Sequence, residues 1–273
     1  MPDIHSLKKQ LRGIRSTQKI TRAMKTTSTA KLSKLGVIYS QYSEYGNRCK
    51  KMLEQFGLGY REAFREADAD APAVAVVIAS NRGMCGNFNA EILKFAMERL
   101  PRFGAYRLVS CGKEAEDFFR EKRLPVEKTV VFGDVPAYEE SSALFDELAA
   151  WRRDGKASRV YVIYPQYINI LYQRPTIYEL FPENFPETDK TSLLIPDQNT
   201  VVAKTAKMVF RAMFYQLVLE SALGAQAATL MTMRSAYETA TDYRARLESE
   251  INRLRQSLIT ADIIETSVKR DEE

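Results

Sequence analysis

The stretch SNRGMCGNFN (80–89) is the best place in this sequence to look for chemistry. It follows the apolar run AVAVVIAS and precedes NAEILKFAMERL, so it reads as a loop between a strand and a helix. A glycine-bearing loop there can hold phosphate on the N–H groups that open the helix. It has neither the Lys-Ser/Thr ending of a phosphate-binding P-loop nor a G-x-G-x-x-G pattern. Gly83 and Gly86 therefore read as residues of a tight turn, with Cys85 between them as part of a structural loop. Cys85 stands where a nucleophile could stand, but a thiol needs an adjacent base or cation. The only histidine, His5, lies far away in the sequence. There is no HExxH, CxxC or diagnostically spaced acid pair, so no catalytic residue, metal site or cofactor is expected. The run YVIYPQYINILY could stack bases, but strand aromatics more often form core or cross-strand pairs.

The elements that position this loop follow from where proline falls. After Pro2 none occurs before Pro72, and none follows Pro196. Proline breaks helix interiors, so both ends are free to be long helices. At about 1.5 Å per residue, Asp3 to Gly57 would span about 80 Å and Asn199 to Ser267 about 100 Å. In the second, Val202, Val209, Ala212, Leu219, Leu223, Leu230, Met233, Tyr237, Ala240, Leu247, Ile251, Leu254, Leu258, Ala261 and Val268 keep one three-four frame. Such a frame predicts a left-handed supercoil against another helix. The middle alternates strand-like and helix-like runs, which predicts a small, mostly parallel α/β domain. INILYQRPTIYELF (168–181) reads as an added antiparallel edge strand that tolerates Pro175. The fold class is thus α/β, a long antiparallel coiled coil of the terminal helices with a small Rossmann-like central domain. The expected divisions are 1–60, 72–190, 199–268 and a charged tail, 269–273.

Charge narrows the partners. The chain carries +5 overall, yet residues 1–34 hold nine Lys or Arg against one acid, Asp3. Such an arm suits nucleic acid, an anionic membrane or an acidic protein surface. Within it the apolar stripe lapses: the spacing set by Leu7, Leu11 and Ile14 lands on Gln18, Thr21, Lys25 and Ser28 before Leu32 and Leu35 resume it. If the terminal helices pair antiparallel with partner numbers summing to about 260, this gap faces 232–242, also rich in small and hydroxyl residues. No segment has the roughly 18 apolar residues of a membrane span, and the first twenty lack a signal core, so a cytoplasmic or inner-face location is expected.

With these stretches in place, LRGIRSTQKITRAMKTTSTAKLSK resembles the N-terminal helix of the gamma subunit of F-type ATP synthases. SNRGMCGNFN is similar to that family's S-D-x-G-L-C-G-x-x-N loop. YQRPTIYELFP, YQLVLESALGAQAATLMTMRSAYETA and NRLRQSLITADIIE resemble its later blocks, in the family's order. The resemblance implies a central-stalk rotor subunit, non-catalytic itself. Its partners would be the alpha and beta subunits of the catalytic ring, the epsilon subunit and the membrane c-ring, with no nucleic acid and no small-molecule substrate. It would couple ion-driven c-ring rotation to ATP synthesis or hydrolysis in beta, at the cytoplasmic face of the inner membrane. The coupling ion is chosen in the c-ring.

By matching position, Arg22, Met24 and Lys25 fall where the family's shaft meets beta, and Arg255 and Gln256 where an Arg-Gln pair engages a beta loop. Leu194, Ile195, Pro196, Asp197, Gln198 and Asn199 fall near the foot's contact with epsilon and the c-ring. The sequence departs from the family at Lys25-Thr26-Thr27, at Thr229, at Ser235 and Thr239, and in the charged ending TSVKRDEE. Two other readings compete: a basic coiled-coil adaptor for nucleic acid or a membrane surface, and an α/β enzyme using Cys85.

Overall fold

The computed structural model describes residues 4–56, 70–181 and 198–271. The proline-free ends form α1 (Ile4–Phe56) and α5 (Gln198–Asp271). Between them lie β1 (Ala73–Ile78), α2 (Phe88–Arg99), β2 (Tyr106–Cys111), α3 (Lys113–Glu121) and β3 (Lys128–Val130). α4 (Tyr138–Arg153), β4 (Val160–Tyr167) and β5 (Gln173–Glu179) complete the middle. Helix α5 continues to Asp271, so part of the expected charged tail is helical. Lys, Arg and Glu are good helix formers, and with neither Pro nor Gly present, extending a helix already nucleated is cheap.

The strands form one sheet in the order β3-β2-β1-β4-β5. Pairings among β3, β2, β1 and β4 are parallel, and β5 joins β4 antiparallel, with Pro175 opposite Pro165. β1 is buried at every position. Its unbroken Ala/Val/Ile run is what a parallel strand covered on both faces requires. Val74, Val76 and Ile78 point to the face covered by α4 and α5, through Leu144, Phe145, Phe210, Phe214 and Val218. Ala75 and Val77 point to the other face, against Ile92, Leu93 and Phe119 of α2 and α3.

α5 is clamped to α4 by a two-pronged ion pair: Arg211 Nη2 lies 2.5 and 2.7 Å from the carboxylate oxygens of Asp146. Burial pushes the Asp146 carboxyl up, but the hydrogen bonds and charges of Arg211 and Lys207 outweigh it and hold the group below its ordinary value. On its opposite side the same stretch of α5 meets α1. There Tyr215, Leu219 and Leu223 pack with Leu35, backed by Leu32, Ile38, Tyr39 and Tyr42. Tyr42 stacks on Tyr138 of α4 with ring centres 6.0 Å apart and meets Tyr215 edge-on at 4.6 Å. Contacts divide the chain into two compact units, Met1–Thr27 with Leu230–Glu273, and Ser28–Thr229.

Gly112, which joins β2 to α3, has φ +97°, and a Cβ there would run into the carbonyl oxygen of Ala79. Gly112→Ala is expected to destabilise the full-length chain by about 3 kcal/mol, since backbone strain and a steric clash add. A urea titration checks this; an unchanged midpoint would show that the β1–β2 crossing tolerates the methyl group.

Candidate functional site

The unit formed by residues 1–27 and 230–273 carries five of the residues the sequence singles out. Its α1 and α5 segments run antiparallel, as the ion pair of Arg15 Nη2 with Glu248 Oε1 at 3.0 Å and the Gln18 bonds require. Gln18 Nε2 donates to Thr241 Oγ1 at 2.8 Å, while Gln18 Oε1 accepts from Arg244 Nη1 at 3.2 Å. Leu7, Gln18 and Thr21 are buried on α1, as are Met233, Ala240 and Leu247 on α5. The three-four frame therefore does not lapse at Gln18; it continues with polar residues that stay buried.

The α1 threonines of this stretch bond along their own helix, while Thr241 of α5 takes the bond across the seam. Thr21, Thr26 and Thr27 each donate to a carbonyl of their own helix four residues earlier. That satisfies the hydroxyl locally and leaves the cross-helix bond to the longer glutamine. A groove of about 710 Å³ opens beside the pairing, floored by Ile14, Thr17, Ala236 and Ala240 and edged by Ser235 and Thr239.

Arg22 is exposed, and Met24 and Lys25 are half-buried. Arg255 and Gln256 are exposed on α5. Beyond Leu254 the predicted stripe is not covered: Leu258 is 55% exposed, and Ala261, Ile263 and Ile264 are exposed too. In the register set by Arg15 with Glu248 and Gln18 with Thr241, the described part of α1, from Ile4 on, lies opposite earlier turns of α5. Of the six residues singled out near the foot, Leu194, Ile195, Pro196 and Asp197 lie outside the described residues. Gln198 and Asn199 open α5.

In the other unit, the 80–89 loop is tied shut by one side chain. Asn89, in the first turn of α2, accepts from the Ser80 N–H at 3.1 Å. Its Nδ2 donates to Ser80 Oγ at 2.8 Å and to Cys85 Sγ at 3.2 Å. Burial pushes the Cys85 thiol up, and the bonds from Asn89 and Ser80 only partly offset this. A thiol held protonated is a poor nucleophile, so the geometry argues against Cys85 chemistry. The turn places Met84 and Gly86 at φ 61° and 62°. Gly83 is not at positive φ, and a Cβ there would meet only Glu114 Oε1 at an ordinary 3.7 Å. Gly86 takes a conformation that favours glycine, while Gly83 sits in the bend without one. The aromatic strand residues pack internally: Tyr161 stacks on Phe103 at 4.3 Å, and Tyr164 is buried.

A profile of the family described as ATP synthase matches residues 3–267, which takes in both helices, the sheet and the loop. The chain belongs to the ATP synthase gamma-subunit family. An ATP synthase gamma chain of Pelotomaculum thermopropionicum is 28% identical over 275 residues, covering 97% of each chain. One of Desulfitobacterium hafniense is 24% identical at the same coverage. Among solved structures, the rotor of Euglena gracilis mitochondrial ATP synthase superposes with a TM-score of 0.66 at 17% identity, covering 94% of this chain and 98% of that one. The central stalk and c-ring structure of the Tetrahymena thermophila enzyme gives 0.64 at 18% identity, over 80% and 99%. At these identities the structural likeness speaks for the fold. Among the described residues no helix is long and apolar enough to cross a membrane.

Asn89, Gln18 and Glu220 all lie inside the gamma-like stretches, but sequence reading gave none of them a role, nor the Asp146–Arg211 pair. An acid inside the apolar run FYQLVLESALG was the available signal for Glu220. Gln18 and Thr241 should couple directly. In a double-mutant cycle with Gln18→Ala and Thr241→Val, the interaction energy is expected to be about 0.5–1.5 kcal/mol by urea unfolding. Strict additivity would remove this bond from the account of the seam.

Proposed function

We propose that this chain is the central rotor subunit of an F-type ATP synthase, turning with the c-ring and driving the catalytic beta subunits through their nucleotide states. The observation that carries the reading is a gamma-family match running from residue 3 to residue 267, through both paired helices and the sheet domain. In this reading the chain is not itself a catalyst. It works with the alpha–beta ring, the epsilon subunit and the c-ring, as a peripheral part of the complex at the cytoplasmic face of the inner membrane.

The contact residues follow the same reading. Arg22, Met24 and Lys25 meet the beta lever, Arg255 and Gln256 engage a second beta loop, and residues 194–199 serve the foot toward epsilon and the c-ring. The exposure of Arg22, Arg255 and Gln256 supports this, because side chains spent on internal packing could not serve a partner. The basic 1–34 arm then needs no nucleic acid: an acidic protein surface satisfies its charge. The adaptor reading leaves the length and order of the family match unexplained.

The test is reconstitution with an alpha–beta ring, epsilon and c-ring, scored by rotation-coupled ATPase. Met24→Lys and Arg255→Ala are each expected to leave the complex assembled and to lower the ATP made per ion moved. A third cation beside Arg22 and Lys25 would hold an acidic lever too long. Loss of Arg255 removes a charge-assisted contact of about 1.5–3 kcal/mol. Undiminished ATP-driven pumping in both variants would withdraw these assignments. Failure of the native chain to restore any coupling would overturn the rotor reading itself.

A further inference from the structure

A carboxyl group is buried where three elements meet. Glu220, on α5, is 6% exposed. From α1, the Tyr39 hydroxyl donates to Glu220 Oε1 at 2.8 Å. From α5 itself, Gln216 Nε2 reaches the same oxygen at 3.5 Å. From β4, the Tyr164 hydroxyl and the backbone N–H of Tyr167 face the carboxyl. Neither reaches hydrogen-bonding geometry with Oε2, which is buried without a partner. Behind this first ring of groups stand Ser43 on α1, next to Tyr39, and Tyr178 on β5, next to Tyr164. Among the described residues no lysine or arginine pairs with Glu220.

This arrangement fits a neutral acid and not a carboxylate. A neutral group can accept two bonds on Oε1 and leave only an uncharged hydroxyl on the unpartnered Oε2. An ionised group would bury an unpartnered anionic oxygen with no cation to offset it, which is strongly unfavourable. We propose that Glu220 is a protonation-controlled tie: uncharged, it closes the joint of α1, α5 and β4, and its ionisation loosens that joint.

The electrostatics agree with the geometry. Burial pushes the Glu220 carboxyl above its ordinary 4.5, and the polar groups of Tyr39, Gln216, Tyr164 and Tyr167 around it pull it back only in part. Tyr39 is itself pushed up to about 12, first by burial and then by Glu220, so it remains a donor throughout. Because the folded chain holds this proton more tightly than the unfolded one, the stability it contributes is complete at low pH. It is lost as pH rises from the ordinary carboxyl range through the folded-state value. The tie is a property of the chain's own fold, so its failure would leave the rotor reading untouched, and the converse holds.

Hydrogen exchange on the full-length chain tests it, with peptides covering 35–46, 160–168 and 214–224 followed from acid to neutral pH and corrected for intrinsic rates. In the native chain, protection is expected to fall by up to about tenfold per pH unit between the ordinary carboxyl value and the folded-state value, and to level off above it, because in that window the opened segment has lost the proton that the closed one still holds. Glu220→Gln, an uncharged isostere, should abolish this slope. Equal slopes in both proteins would overturn the proposal. Should the variant not fold, isotope-edited infrared spectroscopy of the native chain decides. A protonated carboxyl band persisting above pH 4.5 is the expected result, and a carboxylate already fully formed there overturns it.

Discussion

Between Ala206 and Leu223, α5 is buried on two sides at once, and the rest of the sheet-bearing unit depends on that. Val209, Phe210, Phe214 and Val218 belong to the core under the sheet. Tyr215, Leu219 and Leu223, interleaved with them, belong to the seam with α1. A helix buried on two faces in this way cannot slide along either neighbour without exposing apolar surface on both. α1 and the sheet are thereby placed against each other through one element, and Asp146–Arg211 and the Tyr42–Tyr138–Tyr215 cluster fix the remaining freedom. The surplus of Phe and Tyr in this stretch follows, because large rings alone reach both cores from a single helix.

In the other unit the specificity comes from polar atoms. Leucines repeated at three-four spacing hold two helices together but permit more than one register. Gln18 removes that freedom, because both ends of its amide are satisfied only opposite Thr241 and Arg244. Any other register would leave a buried amide unpaired, at about 1–3 kcal/mol. The flanking ion pair of Arg15 with Glu248 is too exposed to contribute much, so the buried amide carries the selection. This explains why the opening segment tolerates fewer apolar residues without losing its frame.

Much of the architecture was legible in the sequence, and the physical reason is that its strongest signals are periodic. Proline exclusion marked both long helices, and the continuous Ala/Val/Ile run of β1 marked a doubly covered parallel strand. Pro175 marked the antiparallel edge, where a lost donor is tolerated. The antiparallel register expected from sequence, with partner numbers summing to about 260, already sets Glu220 opposite Tyr39 and Gln18 opposite Thr241. What stayed hidden is which side chains bond there. A glycine letter does not reveal φ: of the two loop glycines, Gly86 takes the left-handed conformation and Gly83 does not. Met84 takes the left-handed conformation instead, held by the neighbouring Asn89 bonds. The same register leaves the last turns of α5 without a partner, and Leu258, which it would still pair with the start of α1, is exposed as well.

The sheet order itself raises a question that packing answers. In a doubly wound sheet the crevice for a ligand lies outside the carboxyl ends of the strands, where the order turns back between neighbouring strands. Here that point falls between β1 and β4, and the loops concerned are 79–87 and 168–172. Gly224 of α5 comes so close that a Cβ on it would stand 3.0 Å from the Phe88 ring and 3.1 Å from Gln173 Cγ. Phe88 opens α2 directly after the first loop, and Gln173 opens β5 directly after the second. The chain's own helix thus takes a place beside the position where a nucleotide would bind in related topologies, while Asn89 occupies the backbone donor of Ser80 at the loop's start. A long helix thus packs against the α/β layout at the place where related topologies leave a ligand crevice.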